Sequence, residues 1–333
     1  MVQKIDRFTK LFLPVTLTIA LATSCGSNSA PNATNNLQSS EAECQAIKHE
    51  AGQTKICGHP TEIVALGPYM LGILLSLGVQ PAGYAETRYI GSNNFGEKLQ
   101  QIKYLGKYVN SNPINVGTRN EPSLEVLVKL NPDLILGEGT SSQKFANLSR
   151  IAPTLLFTGS EDEEWKSSLK KIAQALGREE KAQQVIKAHD QRVAEARADL
   201  APVASQKKVL LLDYNPSMSG FGVDSGESYA GGLLEDLGFP LVTPTDKQAE
   251  LISLEALPQL AEDADIIFVM ASGNSSVAQV RKKWEENSLL RKLPASQAQQ
   301  VYFVDYQLWS RTYGPIAAKL MIDQIRELLL ESN

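Results

Sequence analysis

Two arginines are the side chains of this 333-residue chain best suited to hold a ligand. Arg119 sits in Val116-Gly-Thr-Arg-Asn-Glu-Pro122, and Arg311 closes Tyr306-Gln-Leu-Trp-Ser-Arg311; both stretches read as loops. A guanidinium is a planar fork of donors that matches a carboxylate through two parallel hydrogen bonds. Arg88 and Tyr89 keep company with the first, and Trp309, Tyr313, Tyr214 and Tyr229 with the second. Rings with polar tips beside charged forks are what a binding cleft needs. Tyr69 joins them by position, because Gly67-Pro-Tyr69 turns off the end of the strand Ile63 to Leu66, where open α/β sheets place ligands. The competing reading spends these arginines on surface pairs with Glu86, Glu121 or Asp305.

Enzyme chemistry finds little to work with. Gly137-Glu-Gly139-Thr-Ser-Ser142 follows a strand as a dinucleotide loop does, but lacks the third glycine and reads as a plain loop. Gly222-Val-Asp-Ser225-Gly226 is not a nucleophile elbow, and His189 lies within a long helical stretch. His49 and His59 complete a total of three histidines, too few and too scattered for a bare zinc or manganese site.

Glu125 and Glu255 repeat at matching places. Ser123-Leu-Glu125-Val-Leu-Val-Lys-Leu130 leads into the strand Leu134 to Leu136, and Ser253-Leu-Glu255-Ala-Leu-Pro-Gln-Leu260 leads into Ile266 to Val269. With the serines as N-caps, each glutamate falls at the second helical position, where the helix dipole favours it by roughly 0.3 to 1 kcal/mol. They serve either that local purpose or the docking of two basic sockets on a symmetric partner. Upstream of each, Leu74-Leu-Ser-Leu-Gly78 and Leu233-Leu-Glu-Asp-Leu-Gly238 read as helix ends with glycine just beyond. The halves are therefore repeats of a βα plan. Residues 178 to 202 join them: helix formers with Ala182, Ile186, His189, Val193, Ala196 and Leu200 on one face, closed by Pro202. From Glu179 to Leu200 this is a rod of roughly 33 Å.

Lys4, Arg7 and Lys10 precede the apolar run Leu11 to Leu21, which has the form of an export signal over residues 1–24. Cys25-Gly26 follows small residues as the acylated cysteine of a bacterial lipoprotein does, and the Ser- and Asn-rich residues 25–41 read as a flexible tether. Cys44 and Cys57 then remain as a pair, set opposite one another by a hairpin about Glu50-Ala-Gly52, suited to a disulfide in an oxidising compartment. A zinc site from these two with His49 and His59 has the wrong spacing. At 43% hydrophobic and 21% charged the chain is globular, and its net charge of −5 argues against nucleic acid.

Val116-Gly-Thr-Arg119-Asn-Glu-Pro-Ser-Leu-Glu125, with Pro132-Asp-Leu-Ile-Leu136 and Val304-Asp-Tyr-Gln-Leu-Trp-Ser-Arg-Thr-Tyr-Gly314, resembles the substrate-binding lipoproteins of ABC importers for ferric citrate and ferric siderophores. The resemblance implies an α/β fold of two lobes with mainly parallel sheets bridged by one long helix, the ligand lying between them. Residues 42–165 would form the N-terminal lobe, 166–204 the helices with the bridge, and 205–333 the C-terminal lobe. Arg119 would hold a ferric chelate from the first lobe and face Trp309 and Arg311 of the second. Glu125 and Glu255 would dock on arginines of a permease dimer. The implied protein is a monomer without catalysis, cofactor or direct metal ligands, lipid-anchored through Cys25 on the extracytoplasmic, periplasmic face. Cobalamin binders of the same fold, binders of bare ferric ion through tyrosinates, and an envelope hydrolase are the alternatives. Arg119→Ala is expected to weaken binding and leave thermal stability nearly unchanged.

Overall fold

The computed structural model describes residues 44–88, 94–139, 144–161, 164–217, 220–244, 251–273 and 275–330. The export signal, Cys25, the tether and Tyr89 lie outside them.

The chain begins with the hairpin β1 (Cys44–His49) and β2 (Gly52–Cys57), whose register sets Cys44 against Cys57. The two cysteines are joined in a disulfide with their Cα atoms 4.0 Å apart. Then follow β3 (Ile63–Leu66), α1 (Pro68–Ser76), β4 (Gly83–Glu86), α2 (Lys98–Gln101), β5 (Ile114–Thr118), α3 (Leu124–Leu130), β6 (Leu134–Glu138), α4 (Phe145–Leu148) and β7 (Thr154–Phe157). Their five-stranded sheet has the order β5-β4-β3-β6-β7 and is parallel throughout. The disulfide hairpin covers the β7 side of this sheet: the Glu50 amide donates to the Leu156 carbonyl at 3.0 Å and Thr54 Oγ1 to that of Thr154 at 2.9 Å. Exchanging both cysteines for serine is expected to loosen the hairpin by about 3 kcal/mol, read as faster amide exchange at Ile47 and Ile56.

Helices α5 (Glu164–Leu176) and α6 (Glu179–Ala204) lead into the second half. There β8 (Val209–Tyr214), β9 (Gly220–Asp224), α7 (Tyr229–Asp236), β10 (Ile252–Ser253), α8 (Leu257–Ala261), β11 (Ile266–Ala271), α9 (Val277–Glu286), α10 (Pro294–Gln297) and β12 (Val301–Asp305) build a sheet of order β10-β9-β8-β11-β12. Helices α11 (Tyr306–Ser310) and α12 (Pro315–Leu330) close the chain. The repeat is thus a repeat of strand order, with one strand reversed in direction. A helix separates β3 from β4, which run parallel, whereas β8 and β9 are a direct antiparallel pair.

The protein is a two-lobed α/β fold whose lobes share one apolar core. That core runs from Ile63 and Leu136 of the first sheet through Trp165, Ala196 and Leu200 of α5 and α6 and Ile322 of α12 to Leu211 and Phe268 of the second sheet. Burying each such aliphatic side chain contributes about 1.5 to 3 kcal/mol. The bridging helix α6 packs against α5 and α12 along this core.

Several local expectations change. Pro202 lies inside α6, not at its end. Its missing N–H leaves the carbonyl of Ala198 on an exposed face where water can bind it, so the helix runs on to Ala204. Ser123 caps α3, accepting from the Val126 amide, but Ser253 belongs to β10 and its hydroxyl accepts from the Ala256 amide in a turn. Pro258 is the reason: it fits the first turn of a helix and not the fifth position, so α8 starts at Leu257 and Glu255 precedes it. Helix α9 starts at Val277, under a Ser276/Gln279 capping box, and ends where Asn287 Oδ1 accepts from the amides of Leu289 and Leu290. Tyr306 to Ser310, read as a loop, is helical because Asp305 caps it through the Gln307 amide at 2.9 Å.

Candidate functional site

All four parallel strands that matter most end toward one place. Thr87 and Arg88 follow β4, Arg119 follows β5, Glu138 ends β6, and Asp305 ends β12 with α11 directly after it. From these ends the first lobe contributes Thr87, Arg88, Arg119 and Asn120 to a hollow of about 250 Å³. The second contributes Ala271, Gly273, Asp305, Tyr306, Gln307 and Arg311. This is the position that parallel α/β sheets offer to ligands. A larger hollow of about 730 Å³ lies between the ends of α6 and α12 and strand β12, but it draws nothing from the first sheet and brings no opposed groups together.

Arg119 is buried and its guanidinium is paired with the Glu138 carboxylate, itself 6% exposed. The backbone amide of Arg119 donates to the Glu86 carbonyl at 2.9 Å, tying the ends of β4 and β5. Glu138 in turn presses on Gly67 at the start of α1: a Cβ there would stand 2.3 Å from Oε1, and Gly67 has φ +117°, so only glycine suits the position. Burial pushes the Glu138 carboxyl above the usual range and the Arg119 charge pulls it back.

Glu86 spans the gap between the lobes. Its carboxylate accepts from the Thr87 amide at 2.6 Å, from the Tyr84 hydroxyl at 3.0 Å and, across the gap, from Gln307 Nε2 at 3.2 Å. Lys103 forms a second crossing by pairing with Asp305. On the far side Arg311 lies over the Tyr306 ring, 4.9 Å from its centre, and donates to the Ser310 carbonyl at 3.2 Å.

Asp213 and Asp224 share one side of the second lobe's sheet. In the β8–β9 pairing Asp213 is opposite Gly222 and Leu211 opposite Asp224, so both carboxyls project from one side of the sheet. Burial pushes Asp224 up to about 6, with the Asp213 carboxylate adding to the shift and Arg311 opposing it. A carboxyl whose folded pKa exceeds its unfolded value of about 3.9 favours folding while protonated, so this one costs stability as pH rises from about 4 through about 6. Because the side chain keeps some access to water, Asp224→Asn is expected to stabilise by about 1 kcal/mol at about pH 8 and by nothing measurable at about pH 4. Thermal unfolding at the two pH values checks this.

The expected site residues divide. Arg88, Arg119 and Arg311 meet at the hollow, with Arg88 exposed at its edge. Trp309 does not: it is fully buried, tilted against Phe268 with ring centres 5.0 Å apart, and its Nε1 donates to Gln324 Oε1 at 2.8 Å. Tyr69, Tyr313 and Tyr229 form a buried column, neighbouring ring centres 5.3 Å apart, with the Tyr229 hydroxyl donating to the Gly314 carbonyl at 2.6 Å. They brace the two lobes where ligand contacts were expected. Tyr214 is half-buried against Phe221 at 4.6 Å. Among the described residues no ion pair joins Glu121 or Asp305 to an arginine, and Glu138, which pairs with Arg119, was hidden in a stretch read as a plain loop. Its place at the carboxyl end of a strand is the signal that could have found it.

Two lobes on a shared helical layer, with arginines from both at one hollow, are the geometry of a binding protein. The family model described as periplasmic binding protein matches residues 63–308. The chain belongs to that family. It is 29% identical over 293 residues to the Fe(3+)-citrate-binding protein YfmC of Bacillus subtilis, covering 87% of each chain. It is 27% identical over 285 residues to the Fe(3+) dicitrate-binding periplasmic protein FecB of Escherichia coli, covering 84% of this chain and 88% of that one. Staphylococcus aureus SirA complexed with staphyloferrin B superposes with a TM-score of 0.70 at 29% identity, over 86% of this chain and 98% of that one. Members of this family bind and hand over ligands without catalysing a reaction.

Proposed function

We propose that the hollow between the lobes captures a ferric chelate, held by Arg119 and Arg88 from the first lobe and Arg311 from the second. The protein is the extracytoplasmic substrate-binding component of an ABC importer, and its ligand is a siderophore or citrate complex of iron. The observation that carries this reading is the convergence of Arg119 and Arg311 on one hollow at the strand ends of two sheets. Its volume, about 250 Å³, is below the roughly 300 to 1,000 Å³ usual for small-molecule sites. Entry then requires the Glu86–Gln307 and Lys103–Asp305 crossings to part. The continuous core beneath limits this to a small rocking of the lobes.

A chelate is favoured over bare ferric ion because Tyr69, Tyr229 and Tyr313, which would serve as tyrosinates, are buried in the core and do not line the hollow. Burial raises the hydroxyls of Tyr69 and Tyr214, and that of Tyr313 to about 12. Cys25 carries the lipid, and Glu125 and Glu255 meet the permease. Native mass spectrometry of the purified protein with ferric citrate, ferric hydroxamates and ferric catecholates tests the reading. At least one complex is expected to bind at micromolar affinity or better, about −8 kcal/mol; binding of none removes the proposal.

A further inference from the structure

The outer strands β7 and β12 occupy matching places in the two sheets and meet different surroundings. In the first sheet the Ile135 amide donates to the Pro153 carbonyl at 2.9 Å, so that carbonyl faces β6. Backbone alternation then turns the N–H and C=O groups of Thr154 and Leu156 outward, away from the sheet. The disulfide hairpin takes them up: it donates to both carbonyls, and the Leu156 amide donates to His49 Nδ1 at 3.4 Å. In the second sheet the Ile267 amide donates to the Gln300 carbonyl, also at 2.9 Å, and the same alternation turns the N–H and C=O groups of Val301 and Phe303 outward. Among the described residues no strand and no hydrogen bond meets those four groups.

This free edge is the floor of a groove. The hollow of about 730 Å³ is lined by Val301 and Phe303 together with Val203 and Leu328, which pack on one face of the sheet, and Arg281 of α9, which covers the other, so the hollow wraps the edge of β12. A second hollow of about 430 Å³ shares Arg281 and Phe303 with it and extends to Trp284 and Arg291. Lys207, Arg281 and Arg291 line the two against a single carboxylate, Glu285, and none of the three cations is ion-paired among the described residues. Arg281 lies over the Phe303 ring, 5.1 Å from its centre, which keeps its charge beside the edge.

An open strand edge between side-chain hollows is the geometry of recognition by strand addition, where main-chain hydrogen bonds give affinity and alternate side chains give specificity. The cations set the sign of those side chains. We propose that β12 accepts an extended, acidic segment of a partner protein as an added strand, in the place that the disulfide hairpin holds against β7. A second copy of the chain fits badly, because pairing two β12 edges about a twofold axis brings Arg281 and Lys207 of both copies into one groove.

Amide NMR of the full chain with blocked hexapeptides tests this. The probes are alternating aspartate and valine, alternating lysine and valine, and the acidic peptide N-methylated along its bonding edge. The acidic peptide is expected to bind with a Kd below about 100 µM, to protect the amides of Val301 and Phe303 from exchange, and to exceed the lysine peptide by at least about tenfold. The N-methylated peptide should not bind. Val301→Pro removes one outward donor at the first residue of the strand and leaves the ladder to β11 whole, so it is expected to weaken the acidic peptide by about tenfold. Arg281→Glu with Lys207→Glu should invert the order of the acidic and lysine peptides and leave ferric-chelate titrations unchanged, since this groove and the hollow between the lobes share no residue. No binding of the acidic peptide, equal binding of the lysine or N-methylated peptide, or protection away from β12 overturns the proposal. So does tighter binding of a peptide of residues 26–43, which would give the edge to the chain's own Glu41 and Glu43, or a concentration-dependent dimer that protects Val301 and Phe303 without any peptide.

Discussion

Replacing Arg119 by alanine is expected to abolish chelate binding and, at the same time, to lower the unfolding free energy by about 3 to 5 kcal/mol. The second effect departs from what the sequence implies, and Glu138 is the cause. Both members of the pair are buried, and the carboxyl presses on the start of α1 at Gly67 with no room to turn outward. Without the guanidinium an uncompensated carboxylate remains in the interior, and its cost exceeds what the pair itself contributed. Protonation offers partial relief. Burial already holds the Glu138 carboxyl above its ordinary range, so the loss of Arg119 shifts it further and the penalty shrinks as pH falls. Urea unfolding of the variant at about pH 8 and about pH 5 should therefore give a deficit that is larger at the higher value.

Stability and binding separate in a second variant. Arg119→Met together with Glu138→Gln removes both charges and keeps most of the volume, a change of the kind that is often neutral or stabilising in buried pairs. It is expected to melt near the wild-type temperature and still fail to bind. A double variant that binds normally would take Arg119 out of the site, and an Arg119→Ala protein of unaltered stability would show that the pair does not hold β5 and β6 together.

What could be read in the chain follows from which forces are local. The long helix was legible because Ala182, Ala196 and Leu200 recur on one face and that face is buried against α5 and α12. The disulfide hairpin was legible because two strands and one turn fix its register. Strand β9 was not. Gly220 and Gly222 dilute its alternation, and its pairing with β8 is fixed by tertiary contact. The placement of the aromatic residues was not legible for a related reason. Tyr69, Tyr229, Tyr313 and Trp309 lie at or near loops and helix starts, positions that suit a cleft, yet burial in the shared core decides their role. Residue type and spacing locate a side chain on its element; they do not say which way the layer beneath it closes. The arginines stand out in the sequence because charge has few places to go in an acidic chain. Their counter-charges were missed because Glu138, Asp213 and Asp224 are brought to them only by the sheets.

Charge reversal at both proposed docking positions, Glu125→Lys with Glu255→Lys, is expected to cut iron uptake by more than about tenfold with chelate affinity unchanged. Glu125 is exposed on α3 beside Leu124 and Val128, which are 38% and 62% exposed. An acid next to protruding apolar side chains is the composition of a contact surface with a basic, partly apolar counterpart. Glu255 is exposed too, but in the turn before α8, so a helix dipole no longer accounts for it. At Glu125 that dipole contributes at most about 1 kcal/mol, too little for the substitution to unfold the protein. Loss of uptake in a protein that melts and titrates normally therefore reports on the permease contact and not on the fold. If the two acids engage two halves of a dimer, each single variant should lose part of the rate and the losses should combine nearly additively in free energy. Uptake of labelled ferric chelate by cells carrying each variant reads this, and reversing the facing basic residues of the permease should restore it. An unaltered rate in the double variant would leave both glutamates as solvated surface charge, with Leu124 and Val128 then needing a different partner.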